Sequence, residues 1–110
     1  MELKVLGIES PHGTETHNCP GFFITEGNSK ILLDYGSGTH KLLNFPSDLN
    51  NLSVIISHLH RDHYNDIYNI QYSDFVYHNQ KRIERPVDVY LPTAPVNKYE
   101  EMLLKKKIAL

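Results

Sequence analysis

Four side chains that can bind a metal ion lie within six residues of one another: His58, His60, Asp62 and His63. At the end of a β-strand, residues two apart point the same way, so His58 and His60 can reach one ion. A bend after them would bring Asp62 and His63 to a second ion. Neutral imidazole suits Zn²⁺, and a carboxylate adds the negative charge that a hydrolytic site with two metal ions needs. Two such ions can share a hydroxide that attacks the substrate, so the cluster predicts zinc-dependent hydrolysis, with manganese or iron as other candidate metals.

The elements around this cluster are predicted to hold it between a strand and a helix. Apolar and β-branched residues at 52–57 predict a strand buried on both faces. The spacing of Ile67, Ile70 and Phe75 predicts a helix over 64–78. The rest of the chain predicts strands at 3–8, 21–25, 30–34 and 87–91, a long loop at 9–20, a hairpin turn at Gly27 and Asn28, and helices at 39–45 and 95–107. This order of elements indicates an α/β fold.

Composition limits the classes of protein to which the chain can belong. Its 110 residues suffice for one small domain, and its apolar fraction of 40% is ordinary for a globular protein. The formal charge of −2 gives no overall footprint for nucleic acid. A single cysteine excludes an internal disulfide framework. The apolar run at 1–8 is too short for a signal peptide or a membrane span, so we expect a cytoplasmic protein without a membrane partner.

The run from His58 to His63 resembles the His-x-His-x-Asp-His signature of the metallo-β-lactamase superfamily. The stretch Ile-Leu-Leu-Asp-Tyr-Gly-Ser-Gly-Thr at 31–39 resembles an earlier motif of the same family. The resemblance implies the N-terminal half of an αββα sandwich, a mixed sheet with helices on one face, for residues 1–110. It also implies that His58 and His60 hold one zinc ion and that Asp62 and His63 hold the other. Asp34 would lie behind these ligands and orient the histidine loop.

The Asp-Gly turn is most similar to that of the ribonuclease Z-like branch, which implies a phosphodiester substrate and makes RNA a candidate. The continuation Tyr-Asn-Asp-Ile-Tyr-Asn-Ile-Gln-Tyr at 64–72 departs from the transfer-RNA processing enzymes and looks more like bacterial ribonuclease Z-like hydrolases. Two alternatives stay open. One is a hydrolase of the same fold that acts on another ester, thioester or lactone. The other is a catalytically inactive piece: a truncated gene product, a degenerate half, or an expression fragment that folds only by pairing with another copy as a homodimer.

Members of this family run to about twice the present length, and their second half supplies the remaining metal ligands. The 110-residue chain by itself is therefore expected to bind metal weakly and to lack activity. Asp62 is the candidate catalytic residue, since it could orient the attacking water or relay its proton. His17, in the long loop, is a candidate for contact with substrate. His40, Cys19 and His78 are expected to have no chemical role.

Overall fold

Within residues 1–83 and 86–93, which the computed structural model describes, five strands form one sheet in the order of the chain. The strands are β1 (Glu2–Gly7), β2 (Gly21–Glu26), β3 (Ser29–Leu33), β4 (Leu52–Ile55) and β5 (Asp88–Tyr90). Strands β1, β2 and β3 pair antiparallel, whereas β3, β4 and β5 pair parallel. The sheet is therefore mixed, as predicted, and the ends of β3 and β4 lie at the same edge. The helix predicted over 95–107 lies outside the described residues.

The hairpin between β2 and β3 forms where the sequence predicted it. Gly27 has a φ of +58°, a left-handed conformation that favours glycine in a tight turn. The register pairs Phe23 with Leu32 and Glu26 with Ser29. All five strand predictions are confirmed, with small shifts at their ends.

The helix predicted over 39–45 is wrong. The chain instead forms two single 3-10 turns, His40–Leu42 and Ser47–Leu49. Leu43 is extended, with φ −86° and ψ 153°, and Pro46 cannot continue a helix. The stretch before Pro46 is too short for a stable α-helix, because nucleation of a helix is costly. Leu43 and Leu49 are buried, so core packing holds these turns.

Helix α1 (Ile67–Asn79) follows the histidine cluster and begins three residues later than predicted. Residues Arg61–His63 form a 3-10 turn, and Tyr64–Asp66, predicted as the start of the helix, form a turn. Ile67 and Ile70 are buried against the sheet, as expected. Phe75, predicted on the inner face, is 67% exposed. Its neighbour Asp74 is partly buried, and the Asp74 Oδ1 accepts a hydrogen bond from the Val87 N–H at 3.1 Å.

The two faces of the sheet differ in their cover. On one face Phe23, Leu32 and Val54 are buried in the same core as α1. On the other face the strand register aligns an apolar row across all five strands: Val5, Phe22, Leu33, Ile55 and Tyr90.

This second face is open in the described part of the chain. Val5 is 55% exposed, Ile55 38% and Tyr90 57%. The prediction that 52–57 is buried on both faces is therefore wrong for the described chain. An apolar sheet face of this kind is one that a second layer of structure normally covers. The homodimer suggested by the sequence stays a prediction.

Of the helices described, none has the length and apolar character needed to cross a bilayer.

The imidazole of His40 joins the turn after β3 to α1. Its Nδ1 shares a hydrogen bond with the Tyr35 hydroxyl, and its Nε2 lies 3.0 Å from the Ser73 hydroxyl. Its ring centroid lies 4.6 Å from that of Phe45. Since a neutral imidazole offers one donor and one acceptor, the neutral form satisfies both hydroxyls. Burial lowers the pKa of His40, although the nearby Asp66 carboxylate acts to raise it. His40 thus has a structural role that the sequence did not indicate.

Stability should depend on pH through this histidine. Because the pKa of His40 is lowered in the folded state, the unfolded chain binds more protons between that lowered value and the ordinary value of 6.5. The free energy of unfolding should therefore be retained above pH 6.5 and should fall as the pH drops below it. Urea unfolding at about pH 7.5 and about pH 5.5 measures this difference. His40→Gln should lower the free energy of unfolding by about 1–3 kcal/mol at the higher pH, because buried hydrogen bonds are lost.

The same variant should lose less stability than the wild type on acidification. His78→Gln, at an exposed position of α1, is the matched control and should keep the wild-type pH dependence. An unchanged pH dependence in His40→Gln would show that another group causes the effect.

Candidate functional site

The site is built at the edge of the sheet where the parallel strands β3 and β4 end. Asp34 follows β3, and its backbone N–H donates to the Ile55 carbonyl at 2.8 Å. The Ile56 N–H donates to the Tyr90 carbonyl at 3.0 Å, which extends the pairing toward β5. The chain leaves β4 at Ser57, so the histidine cluster begins directly beside Asp34.

The carboxylate of Asp34 receives three hydrogen bonds from the histidine segment. Its Oδ1 accepts the Ser57 N–H at 2.7 Å. Its Oδ2 accepts the Ser57 hydroxyl at 2.9 Å and His63 Nδ1 at 2.7 Å. Asp34 has a φ of +61°, a left-handed conformation that Asp tolerates better than most residues. This backbone turn aims the carboxylate at both ends of the segment.

These hydrogen bonds set the tautomers of two histidines. The Ser57 hydroxyl donates to Asp34, so it accepts from His58 Nδ1, which lies 2.9 Å away. His63 Nδ1 donates directly to Asp34. In both neutral rings the proton is therefore on Nδ1, and Nε2 carries the lone pair that can bind a metal ion.

Three imidazoles of the cluster lie side by side. The ring centroids of His58 and His63 are 3.9 Å apart, and those of His58 and His60 are 4.8 Å apart. Leu59, between them in sequence, packs against the core, because alternate residues at a strand end point to opposite sides. The strand end thus turns the histidines outward on one side.

Asp62 lies next to the last histidine and is buried. Its Oδ2 is 3.4 Å from His63 Nε2 and accepts a hydrogen bond from the Ser10 hydroxyl at 2.7 Å. The hydrogen bond from Ser10 is the main cause that lowers the pKa of Asp62, while desolvation opposes it, and His63 and His60 would lower it further when protonated. Asp62 is therefore a carboxylate at neutral pH.

The Gly36 turn brings three segments into contact. A Cβ at Gly36 would overlap the carbonyl oxygen of Asp62 and lie 2.6 Å from the Cβ of Cys19, so only glycine fits. The Tyr35 N–H donates to the His63 carbonyl at 2.7 Å. Burial raises the pKa of the Cys19 thiol, which keeps it protonated. Cys19 is buried in this junction, and its expected lack of a chemical role stays a prediction.

The donors present fit a metal ion in kind, since neutral imidazoles and a carboxylate are ordinary zinc ligands. Among residues 1–83 and 86–93, no three His, Cys, Asp or Glu side chains converge into a group that could hold a metal ion by themselves. His58, His60, Asp62 and His63 are thus brought to one edge, and a complete coordination shell would need further ligands. The metal-binding role of these four residues stays a prediction.

His17 lies in the long loop between β1 and β2. Its ring Nδ1 lies 2.9 Å from the Thr16 hydroxyl, and its backbone N–H donates to the Thr14 hydroxyl at 3.1 Å. It lines a small surface pocket with the end of β1. Its contact with substrate stays a prediction.

Ser10 and Ser57 are the site residues that the sequence did not indicate. Ser57 directly precedes the cluster, which is a usable signal, but nothing in the sequence links Ser10 to Asp62.

Comparisons with known proteins bear on the fold. No protein-family model and no curated protein sequence matches the chain. Among solved structures, the chain is similar to the metallo-β-lactamase fold protein YhfI from Bacillus subtilis, with a TM-score of 0.80 and 24% identity over 90% of this chain. It is also similar to human tRNase Z, short form (ELAC1), with a TM-score of 0.58 and 18% identity over 86% of this chain.

The chain spans 41% of the YhfI chain and 47% of the tRNase Z chain. The match covers the mixed sheet and the helix on one of its faces, which confirms the fold class expected from the sequence. That residues 1–110 are the N-terminal portion of a longer domain stays a prediction. Over the part that it spans, this chain has the metallo-β-lactamase fold.

Proposed function

We propose that the protein containing this chain is a zinc-dependent hydrolase of the metallo-β-lactamase superfamily that acts on a phosphodiester, in the manner of the ribonuclease Z-like branch. The observation that carries the proposal is the hydrogen bond from His63 Nδ1 to Asp34. A histidine that binds a metal ion usually donates its other ring N–H to a carboxylate, and this contact fixes the tautomer and the orientation of the ring. The structural part of that arrangement is already present in this chain.

His58 and His60 would hold one metal ion, and Asp62 and His63 would hold the other. When bound, zinc lowers the pKa of a coordinated water from about 16 to about 7, which supplies a nucleophile at neutral pH. Asp34 keeps the Nε2 atoms of His58 and His63 available. Asp62, ionised and beside His63, can accept a hydrogen bond from the attacking water and orient it.

Two observations favour a phosphodiester substrate. One similar structure is a tRNase Z, and the turn at 34–39 resembles the ribonuclease Z-like motif. RNA is therefore the candidate polymer, and the cytoplasm is the proposed location. Because this chain spans less than half of either similar structure, the activity belongs to a site completed by residues beyond those described.

Hydrolysis of bis(p-nitrophenyl) phosphate tests the function. A protein that continues this chain to the length of its structural neighbours should show zinc-dependent turnover, and His60→Ala in that protein should abolish it. The 110-residue chain alone should show none above background, because misplacing reacting groups by about 1 Å can already cost 10²-fold. Turnover by the 110-residue chain that is abolished by His60→Ala would contradict the incomplete-site proposal. Turnover of a thioester or a lactone by the longer protein, without phosphodiester turnover, would move the function to another branch.

Metal content gives a second prediction. The 110-residue chain should retain less than two equivalents of zinc after dialysis, because the cluster lacks a complete set of ligands in the described residues. Elemental analysis measures the content, and the double variant His58→Ala/His60→Ala should retain less than the wild type. Two tightly held zinc ions per monomeric chain would show that the four residues suffice.

A third prediction concerns Asp34. Asp34→Asn should weaken zinc affinity about 10- to 100-fold, because a neutral amide no longer holds His63 Nδ1–H and the Ser57 hydroxyl as a carboxylate does. Competition with a chromogenic chelator measures the affinity. Asp48→Asn is the matched control, since the Asp48 carboxylate accepts the Asn44 N–H at 2.8 Å in the 3-10 turn before β4. If Asp34 bound the metal itself, a structure with zinc would show a metal–oxygen contact near 2 Å, and this prediction would be wrong.

A further inference from the structure

Hydrogen bonds hold together the two ends of the long loop between β1 and β2. The Glu9 N–H donates to the Asn18 carbonyl at 2.9 Å, and Asn18 Nδ2 donates to the Leu6 carbonyl at 3.3 Å. The Cys19 N–H donates to the Ser37 carbonyl at 3.1 Å. Ser10 directly follows Glu9, one of the residues held in this way. Its position is therefore fixed by backbone hydrogen bonds, even though it belongs to a loop of about a dozen residues.

The backbone of Asp62 is also fixed, from the opposite side. It lies in the 3-10 turn Arg61–His63, and its carbonyl oxygen packs against Gly36. The Tyr35 N–H holds the next carbonyl, that of His63, at 2.7 Å. These contacts hold the backbone of Asp62, whereas its carboxylate is held by separate hydrogen bonds, from Ser10 and from its own backbone N–H.

The Ser10 hydroxyl holds the carboxylate itself. Its hydroxyl donates to Asp62 Oδ2 at 2.7 Å, across 52 residues of sequence. The same oxygen lies 3.4 Å from His63 Nε2, the atom that Asp34 leaves available for a metal ion. An O–H···O⁻ hydrogen bond is among the stronger kinds, and this one is partly shielded from water.

We propose that Ser10 is a positioning residue that holds the Asp62 carboxylate in the rotamer directed toward His63 Nε2. A side chain ordered in advance loses less conformational freedom when it binds. The hydroxyl thereby couples the loop at 9–20 to the candidate metal site. The effect on metal binding rests on the proposed function, whereas the effect on the Asp62 rotamer does not.

The rotamer is measured without metal. Three-bond couplings of the Asp62 side chain should report a single χ1 rotamer in the wild type and an average of rotamers in Ser10→Ala. Ser10→Thr, which keeps the hydroxyl, should restore the single rotamer. Ser47→Ala removes a hydroxyl that bonds the Asn44 carbonyl far from the cluster, and should leave Asp62 unchanged. A single, wild-type rotamer in Ser10→Ala would overturn the proposal.

Zinc affinity is measured on the same variants by competition with a chromogenic chelator. Ser10→Ala should bind zinc about 10-fold more weakly, the lower end of the range for partners of metal ligands. Ser10→Thr should lie close to the wild type. An affinity in Ser10→Ala equal to that of the wild type, in a protein that binds zinc, would overturn the coupling to the metal site.

The two readouts separate the possible failures. If the wild type binds no zinc, the proposed function fails and the χ1 couplings still decide the role of Ser10. A merely structural role would lower the free energy of unfolding in Ser10→Ala and leave the Asp62 couplings unaveraged, which would overturn the proposal. Should Ser10→Ala fail to fold, Ser10→Cys keeps a side chain of similar shape with a much weaker donor and gives the same comparison.

Discussion

The Asp34 carboxylate is the contact on which the rest of the candidate site depends. It is nearly buried, and burying a carboxylate is costly unless hydrogen bonds compensate for lost hydration. Three donors from Ser57 and His63 do so, and hydrogen bonds to charged groups contribute about 1.5–3 kcal/mol each. The left-handed backbone of Asp34 costs only about 1–2 kcal/mol. The hydrogen bonds outweigh the cost of the left-handed backbone, and the Asp34 carboxylate then fixes the tautomers of two histidines.

Close packing at Gly36 transmits this order to the neighbouring segments. The turn after β3 touches the carbonyl of Asp62 on one side and Cys19 on the other. Tyr35 bonds the His63 carbonyl through its N–H, and its own carbonyl accepts the Asp66 N–H at 3.0 Å just before α1. The histidine segment is therefore clamped between β3 and α1. Such clamping suits a site whose ligands must keep their relative positions.

The sheet supports this edge from one side. On one face, α1 packs in a buried apolar core with Phe23, Leu32 and Val54. On the other face, the apolar row that includes Val5, Leu33 and Ile55 remains partly exposed. At roughly 25 cal/mol per Å² of apolar surface, covering such a row would add several kcal/mol to stability. The described residues thus leave one face of the sheet without a cover.

The sequence by itself determined the strands, the hairpin, and the identity and order of the four candidate ligands. Period-two alternation placed Leu59 in the core between His58 and His60, and the Gly27 turn followed from local backbone preference. The helix predicted over 39–45 failed for a local reason, the stop at Pro46, and only the 3-10 turn His40–Leu42 forms there. Phe75 faces solvent although its spacing placed it on the inner face. His40 gained its role from Tyr35 and from Ser73, which is 33 residues away.

Only the tertiary structure decided which side chains support the ligands. Ser10 and Asp62 are 52 residues apart, and no periodicity relates a loop serine to a carboxylate that follows three further strands. Their hydrogen bond exists because the sheet register brings the end of β1 to the edge where β3 and β4 end. Spacing in sequence encodes which atoms can share a face of one element, whereas hydrogen bonds between elements depend on how those elements pack.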